Sequence, residues 1–313
     1  MAKVLEAVPN FSEGRDTAKV RALVDVVAAS EVEVLDWSAD ADHNRSVITF
    51  IGHPDAVEEA SVAAARFALE HIDLRLHHGV HPRVGALDVL PFVPLQGLGM
   101  ADAVASAHRV GREIAGLGIP VFFYGQASDP PGRSLAEIRR GGFEAFSGGF
   151  PPDRLPDLPE GVRRPHPTAG ATCVGARGLL LAWNVFVIGI DVAGAREIAA
   201  EIREKGGGFK GLRALGLRLD EQDRVQISMN LEDPFATSPL DVFGAIERAV
   251  ARRGGRIVET EVIGMIPDTL VHPAAVDRLQ LSDFRPARVL SRRVAEYVSK
   301  HTSGRTTTSE RAE

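Results

Sequence analysis

The chain of 313 residues contains one cysteine, Cys173, so no disulfide can close within it, which is the usage expected of a reducing compartment. No apolar stretch reaches the roughly 20 residues that a membrane-crossing helix needs. The longest, "LLLAWNVFVIGI" at 179–190, is interrupted by Asn184 and reads as a buried strand. A basic stripe is also missing: the net charge is −6 and the pI about 6.0, which excludes a dominant nucleic-acid footprint but leaves room for small anions held by local arginines. The opening residues "MAKVLEAVPNFSEG" lack the charged-then-apolar pattern of a secretory leader, and a cytoplasmic protein is expected. What the chain does have is an ordinary globular balance, 44% hydrophobic and 25% charged, in a length that predicts two domains.

The hydrophobic pattern predicts β-α-β-β-α-β twice. In the first half, a strand over 3–8 precedes a helix in "DTAKVRALVDVVAAS", strands "EVEVLDW" and "RSVITFIG", a helix in "DAVEEASVAAARFALEHI" and the strand "ALDVLPFVP". In the second half, "LLLAWNVFVIGI", a helix over 192–205, the strands "LRALGLRLD" and "RVQISMNLE", a helix over 238–254 and "GRIVETEVIG" follow the same order. This predicts an α+β protein of two ferredoxin-like (βαββαβ) subdomains, each a sheet with helices on one face. The first half carries extra elements: a helix over 100–118, the strand "IPVFFYG", a short helix "LAEIRRGGFEAF", and a Gly-, Pro- and Arg-rich linker or flap over 147–167. The expected subdomains are 1–177 and 178–300, with a disordered polar tail at 301–313.

Four polar clusters carry candidate chemistry. "LHHGVHPRVGALDVLPFVP" places His77, His78 and His81 in a Gly- and Pro-containing loop. Gly79 and Pro82 work against the helix on which His77 and His81 would clamp a metal, no acidic residue stands at ligand spacing, and no phosphate-loop pattern or lysine is near, so no metal is expected. Proton transfer by His81 fits better, with Asp88 seven residues on as the carboxylate that orients the ring; ordinary water-facing loop histidines are the alternative. "ADADHNRSV" offers Asp40, Asn44 and Arg45, either as a solvated hairpin or as a grip on a carboxylate and an amide-like edge. "VPNFSEGR" offers Asn10 and Arg15 before a helix start, or a plain connection capped by Ser12. In "HPTAGATCVGAR" the glycines permit a close backbone approach, and Cys173 among small residues reads as a buried thiol and not a nucleophile. The glycine turn "KGGGFKG" brings Lys205 and Lys210 near a flexible helix end.

Taken together, "VPNFSEGR", "DHNRSV", "HHGVHPRVGALDVLPFVP", "VFFYG" and "GATCVGAR" resemble the glutamate formimidoyltransferases, the formiminotransferase part of formiminotransferase–cyclodeaminase, from near the start to about residue 265. The resemblance implies two ferredoxin-like subdomains whose sheets face one another across a folate tunnel. It implies transfer of a formimino group from N-formimino-L-glutamate to tetrahydrofolate, a co-substrate, with no metal. The family's catalytic histidine falls on His81, with Asp88 and Asp40 as supporting acids. Arg45 and Arg83 are the candidates for the donor's carboxylates, beside Asn10 and Asn44. A folate-contacting segment falls on 163–172, where Gly170, Ala171 and Thr172 match, and Asn184 is a further folate candidate. Expected partners are folate and formimino-glutamate, no nucleic acid and no membrane, with a homodimer compatible and a separate cyclodeaminase acting downstream, because the chain ends too early to hold that domain. Other readings on the same scaffold are a glycine formimidoyltransferase, a 5-formyltetrahydrofolate cycloligase or a non-catalytic folate-binding module.

Overall fold

The structure, a computed structural model, describes residues 2–80, 82–220, 222–270, 273–281 and 284–303. His81, the expected catalytic histidine, lies outside the described residues, as do 304–313 of the expected tail. The chain is α+β, with two sheets and two compact units: one reaches to Arg177 and takes in the chain again from Val294, the other is Gly178–Arg293.

In the first unit, β1 (Leu5–Ala7) and β2 (Asn10–Phe11) form one interrupted strand, since Pro9 has no N–H to give to a ladder. They are followed by α1 (Thr17–Ala28), β3 (Glu33–Asp40), β4 (Arg45–Gly52), α2 (Pro54–His71) and β5 (Leu87–Pro94). Asp16 caps α1 by accepting from the Lys19 N–H (3.0 Å), and Pro54 occupies the first turn of α2, where its missing donor costs nothing. The additional elements are α3 (Met100–Gly116), β6 (Val121–Gly125), a single-turn α4 (Leu135–Ile138) and β7 (Thr172–Ala176). The strands run β3, β4, β1/β2, β5, β7, β6, antiparallel up to β5 and parallel from there. β7 is an addition to the expected elements: "TCVGA" is a run of small residues without the bulky apolar pattern of a strand, yet it inserts between β5 and β6.

Side chains alternate across this sheet. Leu5, Ala7, Ile48, Phe50, Leu90 and Phe92 pack on α1, α2 and α3, while Val89, Phe122, Tyr124 and Cys173 belong to a separate cluster on the other face, with Phe146 and Phe150. The segment 147–167, expected as a linker or flap, is packed there instead: Val121 and Leu158 exchange backbone hydrogen bonds, and Arg133 pairs with Asp157 (2.6 Å).

The second unit contains β8 (Leu181–Ile188), α5 (Val192–Ile202), β9 (Leu212–Leu219), β10 (Arg224–Leu231), α6 (Pro239–Arg252), β11 (Arg256–Ile263) and α7 (Pro273–Arg278). Its antiparallel sheet runs β11, β8, β10, β9, with Trp183, Val185, Ile227 and Met229 buried against helix residues such as Ile198, Phe243 and Ile246. The last helix, α8 (Leu290–Ser303), corrects two expectations. The second unit ends before residue 300, because Lys300 reaches back to Glu33 in β3 (3.3 Å), and residues 301–303 are helical, not tail.

Gly170 has φ +69°, and a Cβ there would lie 2.1 Å from the Val84 carbonyl oxygen. Gly170→Ala is therefore expected to lower stability by at least ~2 kcal/mol, read as an earlier thermal unfolding transition. Glu6, buried in β1, has its carboxyl pushed up to about 7 by burial, against the pull of Arg177. The folded state then holds a proton that the unfolded state releases near 4.5, so stability falls as pH rises from about 4.5 to 7. Glu6→Gln should remove that slope and exceed the wild type by ~2–3 kcal/mol at pH 8, with no such advantage at pH 4.5, in denaturant titrations at both pH values.

Candidate active site

The β3–β4 hairpin closes with Asp40 opposite Arg45, and Asp40 Oδ1 accepts from the His43 N–H (2.7 Å). Its last turn residue, Asn44, has φ +46°, a conformation that asparagine tolerates better than other non-glycine residues. From there Asn44 ties three segments together. Its Oδ1 accepts from the Gly14 N–H (3.0 Å), its Nδ2 donates to the His78 carbonyl (3.1 Å), and its own carbonyl lies 2.7 Å from His77 Nε2. A carbonyl only accepts, so Nε2 carries the His77 proton. His77 Nδ1 is then a buried acceptor with no hydrogen-bond partner among the described residues. Burial lowers the His77 pKa and keeps the ring neutral at pH 7. His78, by contrast, is exposed.

The segment after His81 is held by two ion pairs of opposite polarity. Arg83 donates through Nη1 and Nη2 to Glu144 (3.1 and 2.7 Å) and through Nη2 to the His77 carbonyl (3.1 Å). Asp88 accepts from the Val84 and Gly85 N–H groups at Oδ1 (2.8 and 3.2 Å) and from Arg139 at Oδ2. Asp88 reaches this face because β5 bulges there: Asn10 pairs with Val89 and Phe11 with Leu87, leaving Asp88 unmatched and turned to the side of Val89. Burial pulls the Arg45 guanidinium down to about 10, and the nearby Arg139 adds to this, against the attraction of Asp88 and Asp40; it remains a cation at neutral pH.

Ser12, Asn44, Arg45, His77, Arg83 and Asp88 thus line one recess. The expected Asn10, Asp40, Asn44, Arg45, Arg83 and Asp88 all lie in the first unit, but several are already engaged. The Asn44 amide bonds backbone on both sides, the Asn10 amide donates to the Val8 carbonyl (2.9 Å), and Arg83 is matched by Glu144. Ser12 is not a helix cap: Asp16 takes that role, and Ser12 Oγ donates to the Gly85 carbonyl (2.7 Å). Gly170, Ala171 and Thr172 support the backbone of the same turn. Ala171 N–H donates to the Val84 carbonyl, and the buried Thr172 hydroxyl donates to the Leu87 carbonyl (2.8 Å). Asn184 belongs to the second unit, where its amide donates to Glu261 (2.8 Å). Cys173 is buried and burial pushes its thiol pKa far up, away from nucleophilic use. Among the described residues no group of three His, Cys, Asp or Glu side chains is arranged to hold a metal ion.

Arg139 and Glu144 are the participants that the sequence did not reveal. They stand 51 and 61 residues from their partners, in "LAEIRRGGFEAF", which reads as one short helix but breaks at Gly141–Gly142 into α4 and a 3-10 turn (Phe143–Phe146).

Comparison with known proteins agrees with this organisation. Residues 4–177 match the model of the formiminotransferase domain, N-terminal subdomain, and residues 182–282 that of the formiminotransferase domain. The chain is 39% identical over 296 residues to a glutamate formimidoyltransferase of Streptococcus pyogenes, covering 91% of this chain and 96% of that one. It is 38% identical over 298 residues to a glutamate formimidoyltransferase of Thermoplasma acidophilum, covering 93% and 97%. A formimidoyltransferase-cyclodeaminase of Sus scrofa is 37% identical over 282 residues, which are 85% of this chain and 51% of that protein. With both halves matched in order and two relatives aligned along almost their whole length, the chain belongs to the formiminotransferase family.

Proposed function

We propose that the protein transfers the formimino group of N-formimino-L-glutamate to tetrahydrofolate, giving 5-formiminotetrahydrofolate and L-glutamate. The observation that carries this reading is the near-full-length identity of 38–39% to two glutamate formimidoyltransferases. Both are named for the glutamate donor, which favours that donor over glycine and favours transfer over a cycloligase or a binding module. The reading takes each unit as ferredoxin-like. Counting β1/β2 as one strand, the β-α-β-β-α-β part of each unit has the strand path fourth, first, third, second, and the first unit adds β7 and β6 beside its fourth strand. The enzyme is read as cytoplasmic, with tetrahydrofolate as co-substrate and no resident metal, passing its product to a separate cyclodeaminase; a homodimer is compatible with it.

The chemistry asks for a group that both takes and gives a proton. The nitrogen at ring position five of tetrahydrofolate attacks the formimino carbon, a tetrahedral intermediate forms, and the glutamate amine leaves. The attacking nitrogen loses a proton and the leaving nitrogen gains one. A histidine, with its pKa near neutrality, does both, and His81 is the residue assigned to it. Arg45, a cation that lines the recess, is assigned to a donor carboxylate, with Arg83 for the other. The bonds of Asp88 to Val84, Gly85 and Arg139 support a positioning role, in which it holds the turn after His81, and Asp40 is the acid left for favouring a protonated amidine.

The activity is tested by mixing the protein with tetrahydrofolate and N-formimino-L-glutamate and following 5-formiminotetrahydrofolate; formation with this donor and not with N-formiminoglycine is expected. His81→Ala should lower turnover ~10²–10⁴-fold with the fold retained by circular dichroism, and wild-type turnover would remove His81 from the mechanism. Arg45→Gln should raise the KM for the donor at least ~10-fold and leave that for tetrahydrofolate nearly unchanged.

A further inference from the structure

The two ion pairs of the recess differ in the carboxylate they use. Arg139 is matched by Asp88, whose side chain is 3% exposed, so opening that pair strands a buried charge. The Arg83 side chain is 11% exposed, yet that of its partner Glu144 is 64% exposed. Glu144 sits on the 3-10 turn Phe143–Phe146, entered through Gly141 and Gly142 at φ +79° and +66° and left through Gly149 at φ +105°. A Cβ at Gly142 would lie 2.8 Å from Glu144 Oε2, so the carboxylate packs directly over this glycine. Its two oxygens take Nη1 and Nη2 of Arg83 side by side, the fork geometry that a free carboxylate adopts on a guanidinium. The hydrogen bond from Arg83, against a smaller opposing effect of burial, holds the Glu144 carboxyl below its ordinary range, so it is ionised at neutral pH.

We propose that Glu144 is an internal stand-in for a carboxylate of the donor: it occupies Arg83 in the free protein and is displaced when the donor binds. Glu144 can turn into water when it leaves, whereas Asp88 cannot, so only the outer pair is exchangeable. Glu144 then sets donor affinity and admits ligands whose carboxylate replaces its own on Arg83. It touches no reacting atom and is a specificity-determining residue. The inference rests on the reading of Arg83 as a donor contact.

The test combines steady-state transfer with calorimetric titration of L-glutamate onto the wild type, Glu144→Ala and Glu144→Gln. In Glu144→Ala the KM for N-formimino-L-glutamate and the Kd for L-glutamate should both fall about 3–30-fold, with a smaller fall in Glu144→Gln and no matching change in the KM for tetrahydrofolate. Donor KM and glutamate Kd that stay constant or rise in both folded variants would overturn the proposal, because Glu144 would then only hold Arg83 in place. Arg83→Gln separates the premises. Unaltered glutamate binding in that variant removes the carboxylate seat from Arg83 and the inference with it, even where transfer persists. A wild type that transfers nothing overturns the activity, while the glutamate titrations still decide whether Glu144 competes for Arg83.

Discussion

Two crossed ion pairs, Arg83 with Glu144 and Asp88 with Arg139, fasten the turn after His81 to the chain that follows α4. The cation of one pair and the anion of the other come from the same short turn, so a slip in either direction would bring like charges together. Buried or half-buried pairs of this kind add little net stability over apolar packing, but removing one member is costly because the other is left without a counter-ion. Their contribution is to register: in the free protein residues 83–88 have one favourable seating against 139–144, and the buried Asp88–Arg139 pair is its lasting half. The backbone of that turn is fixed from the other side by Gly170 and Ala171, and from a third by the Ser12 hydroxyl on the Gly85 carbonyl.

Around this fastening, the polar residues divide by how replaceable their partners are. Asn44, His77 and Asp88 spend their hydrogen bonds on backbone or on buried partners and act as framework. Arg45 and Arg83 present cationic charge at the recess, and the partner of Arg83 is solvent-facing. The proposed donor, with two carboxylates and a transferable one-carbon group, would meet a stiff framework that carries the turn after His81 and, at Arg45 and Arg83, the cations assigned to its carboxylates.

The sequence was informative where the physics is local. Helix starts at Asp16 and Pro54, the β3–β4 hairpin and the repeated element order follow from caps, turn residues and periodicity over a few residues. The motif "HPRVGALDV" carried the resemblance to the family, and its histidine lies outside the described residues. Three things were not legible. β7 is short and glycine-bearing and gains its place only from parallel neighbours on both sides. The bulge that turns Asp88 to the site depends on how β5 pairs with β2, about 75 residues earlier. Arg139 and Glu144 look like ordinary surface charges of a short helix, and only the break at Gly141–Gly142 gives each its partner. Gly170 and Thr172, carried over as folate contacts, lie against the backbone of the turn after His81 in this structure.

The central claim is that the buried Asp88–Arg139 pair holds the turn after His81 in the geometry that formimino transfer needs. A double-mutant cycle on single-turnover formation of 5-formiminotetrahydrofolate, with Asp88→Asn, Arg139→Met and the two combined, tests it most directly. The account predicts that each single change slows transfer and that the double variant is no slower than the worse single one, since both remove the same fastening. Single variants that transfer at the wild-type rate, or losses that simply add, would contradict it.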